Sequence, residues 1–293
     1  MNRLYESIVK VSKATRSEIN FEWIVVDDGS SDNTRSLVEK FCAENLFPIK
    51  YYYQENQGKH VAMNFASDVA EGEMFLTIDS DDELLPECLN IFFDTWTTLD
   101  EKLQKELKGI TGRCIDPNTG KIIGSPLPKS INGGQYLITS PQDLRHKYKV
   151  RGEMMGFNRT DIMKKFKHNV KPDVGKFMPE GILWSTIGLK YKEYVINVPV
   201  RVYNSDGNNA ITSDDSKKRA PQNYYLWQFE VNNLVKKYIL SDPKNMLKAV
   251  VGLSRDGFLT MRSPRTILMD CNGLFPKLLV ALFMPLGWIL SKS

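Results

Sequence analysis

The feature that most constrains this chain is a short apolar segment that runs directly into a cluster of carboxylates. Residues 75–86 read Phe-Leu-Thr-Ile-Asp-Ser-Asp-Asp-Glu-Leu-Leu-Pro. Because unpaired carboxylates are costly to bury, Asp79, Asp81 and Asp82 are not packing residues. A strand that ends in acids delivers them to the carboxyl edge of a sheet, where open α/β folds bind ligands. Carboxylate oxygens suit Mg²⁺ or Mn²⁺, although a solvated acidic turn or an acidic helix N-terminus would give the same pattern.

A second apolar segment ends in the same way, and a helical pattern lies between the two. Residues 21–26 are aromatic and β-branched and run into the acidic, glycine-containing loop 27–34. The polar loop 54–60 leads into a helix predicted from about Val61 to Val69. The order therefore predicts a βαβαβ progression with its polar residues on one edge of a sheet.

Three polar runs in this region resemble the motifs of family 2 glycosyltransferases. They are residues 26–34, 55–64 and 79–86, and the resemblance extends over roughly residues 20–95. It implies the GT-A fold, a nucleotide-binding mixed α/β sheet flanked by helices. It also implies an inverting, metal-dependent enzyme of cell-surface polysaccharide synthesis. The donor is expected to be a nucleotide-sugar, specifically a UDP-sugar, and the acceptor a glycan or a lipid-linked molecule.

The resemblance assigns roles to individual donor-site residues. Asp28 is the residue expected to contact the nucleobase, and Lys59 is expected to approach the nucleotide, unless it is a solvated lysine after a glycine turn. Asp79 corresponds to the acid near the ribose or phosphate. Asp81 corresponds to the acid that binds Mn²⁺ or Mg²⁺, and Asp82 is either a second metal ligand or a supporting and capping residue.

The acceptor side depends on one carboxylate and one guanidinium. Glu180 lies between Pro179 and Gly181 at a predicted helix start. The segment resembles the family's acceptor-site acid, which would serve as the general base of an inverting transfer. A plain helix-terminal carboxylate, stabilised by the helix dipole, remains the alternative. Arg201 ends the strand-like segment 194–203 and is expected either to face the diphosphate or to form a structural ion pair.

Composition indicates a cytoplasmic enzyme with a basic C-terminal region. The 293 residues include four cysteines without paired spacing and three scattered histidines, which argues against a disulfide framework or a zinc site. Residues 217–293 hold 12 Lys or Arg against 4 Asp or Glu. We therefore expect a GT-A-like domain over 1–205 and a basic helical region over 206–293. No motif supports nucleic-acid binding.

The apolar C-terminal end predicts contact with a membrane surface. Residues 274–290 contain two prolines and a glycine, so the segment is expected to be too short and too interrupted to span a bilayer. A basic, Trp-containing apolar end suits the interface of an anionic membrane. The alternative is a terminal helix packed on the catalytic domain. The expected location is thus peripheral, at the cytoplasmic face of the membrane.

The chain departs from the family pattern at its amino end. Family members normally open with an apolar central strand, whereas Leu4, Ile8 and Val11 already predict a helix. Without that strand, the neighbouring strands would expose unpaired backbone N–H and C=O groups and part of the hydrophobic core. Either further residues precede Met1 or the nucleotide pocket is weakened.

The alternative functions are a catalytically weak, membrane-associated binding protein and, from another class, a nucleotidyltransferase. The latter usually needs a glycine- and basic-rich phosphate loop, which is not seen.

Overall fold

The structure, a computed structural model, describes residues 1–169, 171, 174–204 and 218–292. The chain divides into two compact units, and the following account concerns their described residues. The first unit comprises Met1–His168 and Ser185–Ala210, and the second comprises Asn169–Trp184 and Ile211–Ser293. The expected domain boundary at 205/206 falls at the start of residues 205–217, which lie outside the described residues, and it stays a prediction.

The described residues form strands and helices in an alternating order typical of α/β proteins. The strands are β1 Trp23–Asp28, β2 Ile49–Gln54, β3 Met74–Leu76, β4 Glu83–Leu84, β5 Leu107–Ile115, β6 Tyr136–Thr139, β7 Met154–Arg159 and β8 Lys192–Val202. The helices are α1 Asn2–Ala14, α2 Thr34–Glu44, α3 Lys59–Val69, α4 Cys88–Thr97, α5 Glu101–Glu106, α6 Pro141–His146, α7 Thr160–Lys165, α8 Glu180–Gly188, α9 Ala220–Asn233, α10 Val235–Tyr238, α11 Pro243–Leu259, α12 Pro264–Met269 and α13 Leu274–Lys292.

The first unit contains two sheets. In the smaller one, β1 and β2 pair in parallel, with Trp23 opposite Ile49 and Asp28 opposite Gln54. The larger, mixed sheet has the strand order β3-β7-β5-β8-β4, and β6 also pairs with β8. In it β5 and β8 are parallel, whereas β7 runs antiparallel to both β3 and β5. The predicted mixed α/β architecture is confirmed.

Helix α1 supplies part of the core of the first unit. Leu4, Ile8 and Val11 repeat at helical spacing and are all buried, together with Phe92 and Phe157 from the neighbouring elements. Burial of this stripe explains why the first residues form a helix, since most helical stability comes from packing an apolar face. The prediction of a helix at this position is confirmed.

The predicted βαβαβ progression is only partly continuous. Strand β3 does not join β1 and β2 but pairs with β7 in the other sheet. It also ends at Leu76, although the apolar run extends to Ile78. A strand is defined by its ladder partner, and Thr77 and Ile78 have no partner strand beside them among the described residues. Among the described strands, β1 pairs with β2 alone and β3 with β7 alone, and the expected exposure of their backbone ladders stays a prediction.

The second unit is helical, and its core is formed by α9 to α13. Tyr224, Val250, Leu253 and Val280 are buried there. The expectation that the apolar C-terminal end is interrupted is wrong, because α13 is one helix of 19 residues that includes Pro285. A proline inside a helix removes one backbone hydrogen bond and usually kinks the helix, yet α13 continues through Pro285. Among the described residues α13 alone has the length and composition of a membrane span, and 17% of that stretch is buried.

Candidate nucleotide-binding site

Asp28, at the end of β1, ties two loops together. One carboxylate oxygen accepts hydrogen bonds from Gln54 Nε2 at 2.7 Å and from the Gln57 amide at 2.8 Å. The other accepts from the Gly58 amide at 2.8 Å. An ionised carboxylate has about four acceptor positions. Asp28 is therefore held rigidly at the amino end of α3 with capacity for one further donor.

The preceding acid, Asp27, has a structural role in the same loop. It is buried and accepts hydrogen bonds from the Tyr51 hydroxyl at 2.6 Å and from the Ser30 amide at 2.8 Å. Burial raises the pKa of Asp27, but these hydrogen bonds outweigh it and leave the pKa below its ordinary value. Asp27 is thus an ionised residue that shapes the loop from within.

A glycine allows the two loops to approach each other. Gly29 has a φ of +77°, and a Cβ at this position would lie 2.6 Å from the backbone nitrogen of Asn56. Any other residue would be strained by the backbone conformation and would collide with the neighbouring loop. A glycine directly after the two aspartates that end β1 is therefore required by the close packing that brings Asp28 to α3.

Lys59 and Asp79 extend this arrangement to the end of β3. Lys59, the first residue of α3, forms an ion pair with Asp79, and both side chains are well exposed. Consecutive contacts therefore connect Asp28, Gly58, Lys59 and Asp79. Exposed ion pairs of this kind contribute little to stability, about 0–1 kcal/mol. Their charged ends are accessible to a ligand.

Asp81 and Asp82, although adjacent, have opposite environments. Asp81 is exposed, and its backbone carbonyl accepts a hydrogen bond from Asn204 Nδ2 at 3.2 Å. Asp82 is buried, and one of its carboxylate oxygens accepts a hydrogen bond from the Asn204 amide at 2.9 Å. Its other carboxylate oxygen lies 3.1 Å from Arg201 Nη1. Burial raises the pKa of Asp82 despite the opposing effects of Asn204 and Arg201. The loop is thus fixed to the end of β8 through Asp82, while Asp81 faces solvent.

Arg201 is also satisfied by its neighbours. It is buried on β8, donates to Cys114 Sγ at 3.2 Å and lies 3.6 Å from a Glu153 carboxylate oxygen. Its ion-pair contact with Asp82 matches the structural alternative considered for it. The prediction that Arg201 or Asp82 contacts diphosphate or metal stays untested.

The carboxylates fit a metal that is shared with a ligand. Among the described residues, no group of three or more His, Cys, Asp or Glu is arranged to hold a metal ion. Mg²⁺ in nucleotide enzymes is typically bound by one or two carboxylates, with phosphates and waters completing the shell. The exposed Asp81, with Asp79 two residues earlier, matches this donor set. A metal held by protein side chains alone does not.

Comparisons with known proteins agree with this geometry. The sequence model of Glycosyl transferase family 2 matches residues 2–102, which contain all three polar loops. Residues 2–102 belong to glycosyltransferase family 2. Solved structures of similar fold confirm the GT-A fold that the motifs predicted.

Two curated relatives and one solved structure illustrate what this chain is similar to. The GalNAc(5)-diNAcBac-PP-undecaprenol beta-1,3-glucosyltransferase of Campylobacter jejuni is 27% identical over 71% of this chain and 65% of its own length. The poly(ribitol-phosphate) beta-N-acetylglucosaminyltransferase TarS of Staphylococcus aureus is 32% identical over 38% of this chain and 19% of its own length. The chain thus spans less than two thirds of the length of the relatives that it matches. The structure of S. aureus TarS 1-349 in complex with UDP aligns with a TM-score of 0.55 and 18% identity, over 100% of this chain and 86% of that chain.

The predicted base, Glu180, belongs to the second unit. Glu180 is the first residue of α8, as predicted, and is half-buried. The following turn places Leu183 and Ile187 on a buried face. This position suits a carboxylate, since the helix N-terminus favours a negative charge. Its role as a base stays a prediction.

Sequence reasoning missed several residues that support the site. Gln54, Tyr51 and Asn204 each bind one of the acids, and none was singled out from the sequence. Asn204 follows β8 and lies 122 positions from Asp82. Only Gln54, the first residue of the predicted polar loop 54–60, carried a signal that could have identified it. The Tyr51 contact depends on the register of two strands, and the Asn204 contact joins residues that are far apart in the chain.

Proposed function

We propose that this chain transfers a sugar from a nucleotide-sugar donor, a UDP-sugar, to a hydroxyl of a glycan or lipid-linked acceptor. The observation that carries the proposal is the series of contacts Asp28, Gly58, Lys59 and Asp79 at the ends of β1 and β3. It offers an acceptor for a base N–H, a cation for phosphate and an acid near the ribose. UDP is the ligand in the TarS structure of similar fold.

The donor would bind by exchanging existing contacts. Asp28 keeps one acceptor position for an N–H of the base. Lys59 would leave its exposed pair with Asp79 for a phosphate, where a charge-assisted hydrogen bond is stronger. Asp79 would then be available to the ribose or to the metal shell.

Asp81 is the proposed protein ligand of Mn²⁺ or Mg²⁺. A divalent ion bound there supplies charge neutralisation for the departing nucleotide. We assign positioning roles to the buried pair of Asp82 and Arg201, because the guanidinium lies 3.1 Å from an Asp82 carboxylate oxygen inside the protein. Together with Asn204 they hold the Asp81 loop in place, so that Asp81 does not have to be ordered when the donor binds.

The transfer is proposed to invert the anomeric carbon. The acceptor oxygen attacks from the face opposite the diphosphate and forms the new glycosidic bond. The bond from the anomeric carbon to the diphosphate oxygen breaks, and its electron pair leaves with the nucleoside diphosphate. Glu180 takes the acceptor proton as general base. Family membership supports the inverting course.

We further propose that α13 lies on the cytoplasmic face of an anionic membrane. Its exposed side chains form an apolar stripe: Leu274, Leu278, Leu282, Leu286 and Ile289. Trp288 is also exposed, and Lys277 and Lys292 provide positive charge. Contiguous apolar surface of this kind marks a binding face, and basic and aromatic residues favour the membrane interface. A lipid-linked acceptor would be reached there, as the name of the Campylobacter relative suggests.

The metal assignment provides the central test. Asp81→Asn keeps the side-chain size and removes the charged ligand, so metal-dependent hydrolysis of UDP-sugars should fall roughly a hundredfold or more. The matched control is Glu55→Gln, which neutralises another exposed carboxylate in the loop before α3. Hydrolysis and UDP binding would be measured across a Mn²⁺ titration. Unchanged activity of Asp81→Asn at low Mn²⁺ would contradict the assignment.

A binding protein without turnover is the second candidate, because an apolar groove of about 720 Å³, lined in part by Lys59, lies beside the donor-site residues. Under that alternative UDP would bind in the presence of Mn²⁺, but no UDP-sugar would be hydrolysed or transferred. The same titration separates the two functions, since it measures binding and turnover on one preparation.

A further inference from the structure

The Asp28 carboxylate has few positions left for a ligand. Its Oδ1 accepts two hydrogen bonds, from Gln54 Nε2 at 2.7 Å and from the Gln57 amide at 2.8 Å. Its Oδ2 accepts one hydrogen bond, from the Gly58 amide at 2.8 Å. Each oxygen of an ionised carboxylate offers about two acceptor positions. Oδ1 is therefore filled, and a single acceptor position remains, on Oδ2.

The two donors to Oδ1 depend on the sequence in different ways. Gln57 reaches Asp28 through its backbone amide, which every residue except proline supplies. Gln54 uses its side chain, and it lies directly opposite Asp28 in the parallel ladder of β1 and β2. Residues in register on neighbouring strands point to the same face of a sheet. The identity of residue 54 therefore decides whether Oδ1 keeps an open acceptor position.

Nucleobases differ in how many adjacent N–H groups they present to a carboxylate. Uracil presents one, N3–H, between two carbonyl groups. Guanine presents two, N1–H and an N–H of its exocyclic amino group, and this pair needs one acceptor position on each carboxylate oxygen. With one open position, Asp28 matches the single N–H of uracil and leaves the amino group of guanine without an acceptor. A polar group left unpaired on binding costs affinity.

We infer that Gln54 determines the nucleotide specificity of the donor site, because it occupies the Oδ1 position that the guanine amino group would need. This role rests on the proposed function, in which Asp28 receives an N–H of the base. It goes beyond that function in stating why uridine nucleotides are selected over guanosine nucleotides. Gln54 acts through Asp28, so it is a specificity-determining residue and not a catalytic one.

The test compares two purine nucleotides that differ only in the amino group. Inosine diphosphate presents N1–H without that group, and guanosine diphosphate presents both. The dissociation constants of UDP and of these two nucleotides are measured by titration calorimetry at the same Mn²⁺ concentration. The unmodified chain should bind UDP most tightly. It should bind guanosine diphosphate no more tightly than inosine diphosphate, because Oδ1 is already filled.

The variant Gln54→Ala removes the side-chain donor and opens room beside Oδ1. The affinity for guanosine diphosphate relative to inosine diphosphate should then rise roughly tenfold, because the amino group gains a hydrogen bond to a charged acceptor. The matched control is Gln57→Ala, which truncates the same kind of side chain but keeps the amide that binds Asp28. Its affinity ratio should equal that of the unmodified chain. A mere loosening of the loop would weaken both purine nucleotides without changing their ratio.

An unchanged ratio in Gln54→Ala, an equal rise in Gln57→Ala, or no binding of either purine nucleotide to folded Gln54→Ala would overturn the specificity role. An unmodified chain that binds guanosine diphosphate roughly tenfold more tightly than inosine diphosphate would overturn it without any variant, since Oδ1 would then accept the amino group. Absence of UDP binding to the unmodified chain would overturn the proposed function as well. UDP binding with an unchanged ratio in Gln54→Ala would overturn the role of Gln54 alone.

Discussion

At the scale of single residues, the site combines fixed and accessible acids. Asp27 and Asp82 are buried and hydrogen-bonded within the protein, whereas Asp79 and Asp81 keep exposed oxygens. Alternation along a strand produces a similar difference at the end of β1, where Asp27 accepts a hydrogen bond from Tyr51 and Asp28 accepts one from the Gly58 amide before α3. A cluster of acids is therefore not one functional group. Each residue has to be assigned from its own contacts.

Glu180→Gln should remove acceptor transfer while leaving donor binding nearly unchanged. A general base typically contributes about 10²- to 10⁴-fold to the rate, and the donor contacts belong to other residues. The matched control is Glu101→Gln, because Glu101 is likewise the first residue of a helix, α5. The control should lose the same small helix-dipole stabilisation without loss of transfer. A parallel decline of donor affinity and transfer in Glu180→Gln would indicate a structural role.

His60 should make the folded state sensitive to acid. Its side chain is buried, and neither ring nitrogen has a hydrogen-bond partner among the described residues. Burial lowers its pKa below 6.5, although the charge of Asp28 opposes this. The unfolded chain therefore binds a proton at higher pH than the folded chain, and stability declines as pH falls below about 6.5.

The variant His60→Gln cannot become charged and should show a smaller loss of stability on acidification. The measurement is urea unfolding of both proteins at pH 7.5 and 5.5, which gives the difference in unfolding free energy for each. The ring of His168 lies 6.1 Å away, so His168→Gln should be compared in the same way. Identical pH dependence of wild type and His60→Gln would show that His60 is not the responsible group.

At the scale of secondary-structure elements, helix α13 has two different faces. Gly287 is buried against α11, where a Cβ would lie 2.5 Å from Ser254 Cβ, and Val280 is also buried. The opposite face exposes the leucine stripe. The helix is therefore both a packing element of the second unit and an exposed apolar surface.

The double variant Leu278→Glu and Leu282→Glu should release the protein from anionic vesicles. Both side chains are more than half exposed, so the substitutions change the surface and leave the packed face intact. Each leucine that enters the interface contributes up to roughly 1.5–3 kcal/mol. Binding to vesicles that contain phosphatidylserine should therefore fall at least tenfold in a flotation assay, as it should on deletion of Leu274–Ser293.

The control for vesicle binding is Leu240→Glu, which alters a leucine that is 93% exposed outside α13. It should bind vesicles like the wild type. High salt should weaken binding only in part, because attraction of basic residues is screened while apolar insertion is not. Failure of the wild type to bind anionic vesicles at low salt would favour a helix that serves only to pack the second unit.

At the scale of the whole molecule, the predicted donor site is built on two separate sheets of the first unit. Strands β1 and β3 each carry donor-site acids at their carboxyl ends, yet they belong to different sheets. The side-chain pair of Lys59 and Asp79 and the packing of α1 connect them. The two parts of the donor site are therefore held together by side-chain contacts and by α1, because β1 and β3 share no backbone ladder.

The sequence by itself determined the local elements and the position of the polar loops. Helical spacing identified α1 at Leu4, Ile8 and Val11, and strand ends located Asp28 and Asp79, because periodicity and turn residues are local properties of the chain. The local pattern was insufficient to predict α13, because its prolines suggested an interrupted segment whereas the structure has one helix.

Only the tertiary structure decided which acids are accessible. Asp81 and Asp82 are adjacent and chemically identical, and the sequence predicted metal binding for Asp81 and either metal binding or a supporting and capping role for Asp82. Their difference arises because Arg201 and Asn204, at the end of β8, return to this loop and bury Asp82. The separation of β3 from β1 likewise follows from its pairing with β7, more than 75 positions later in the chain. Such contacts depend on strand register across the whole sheet, which no local pattern of residues encodes.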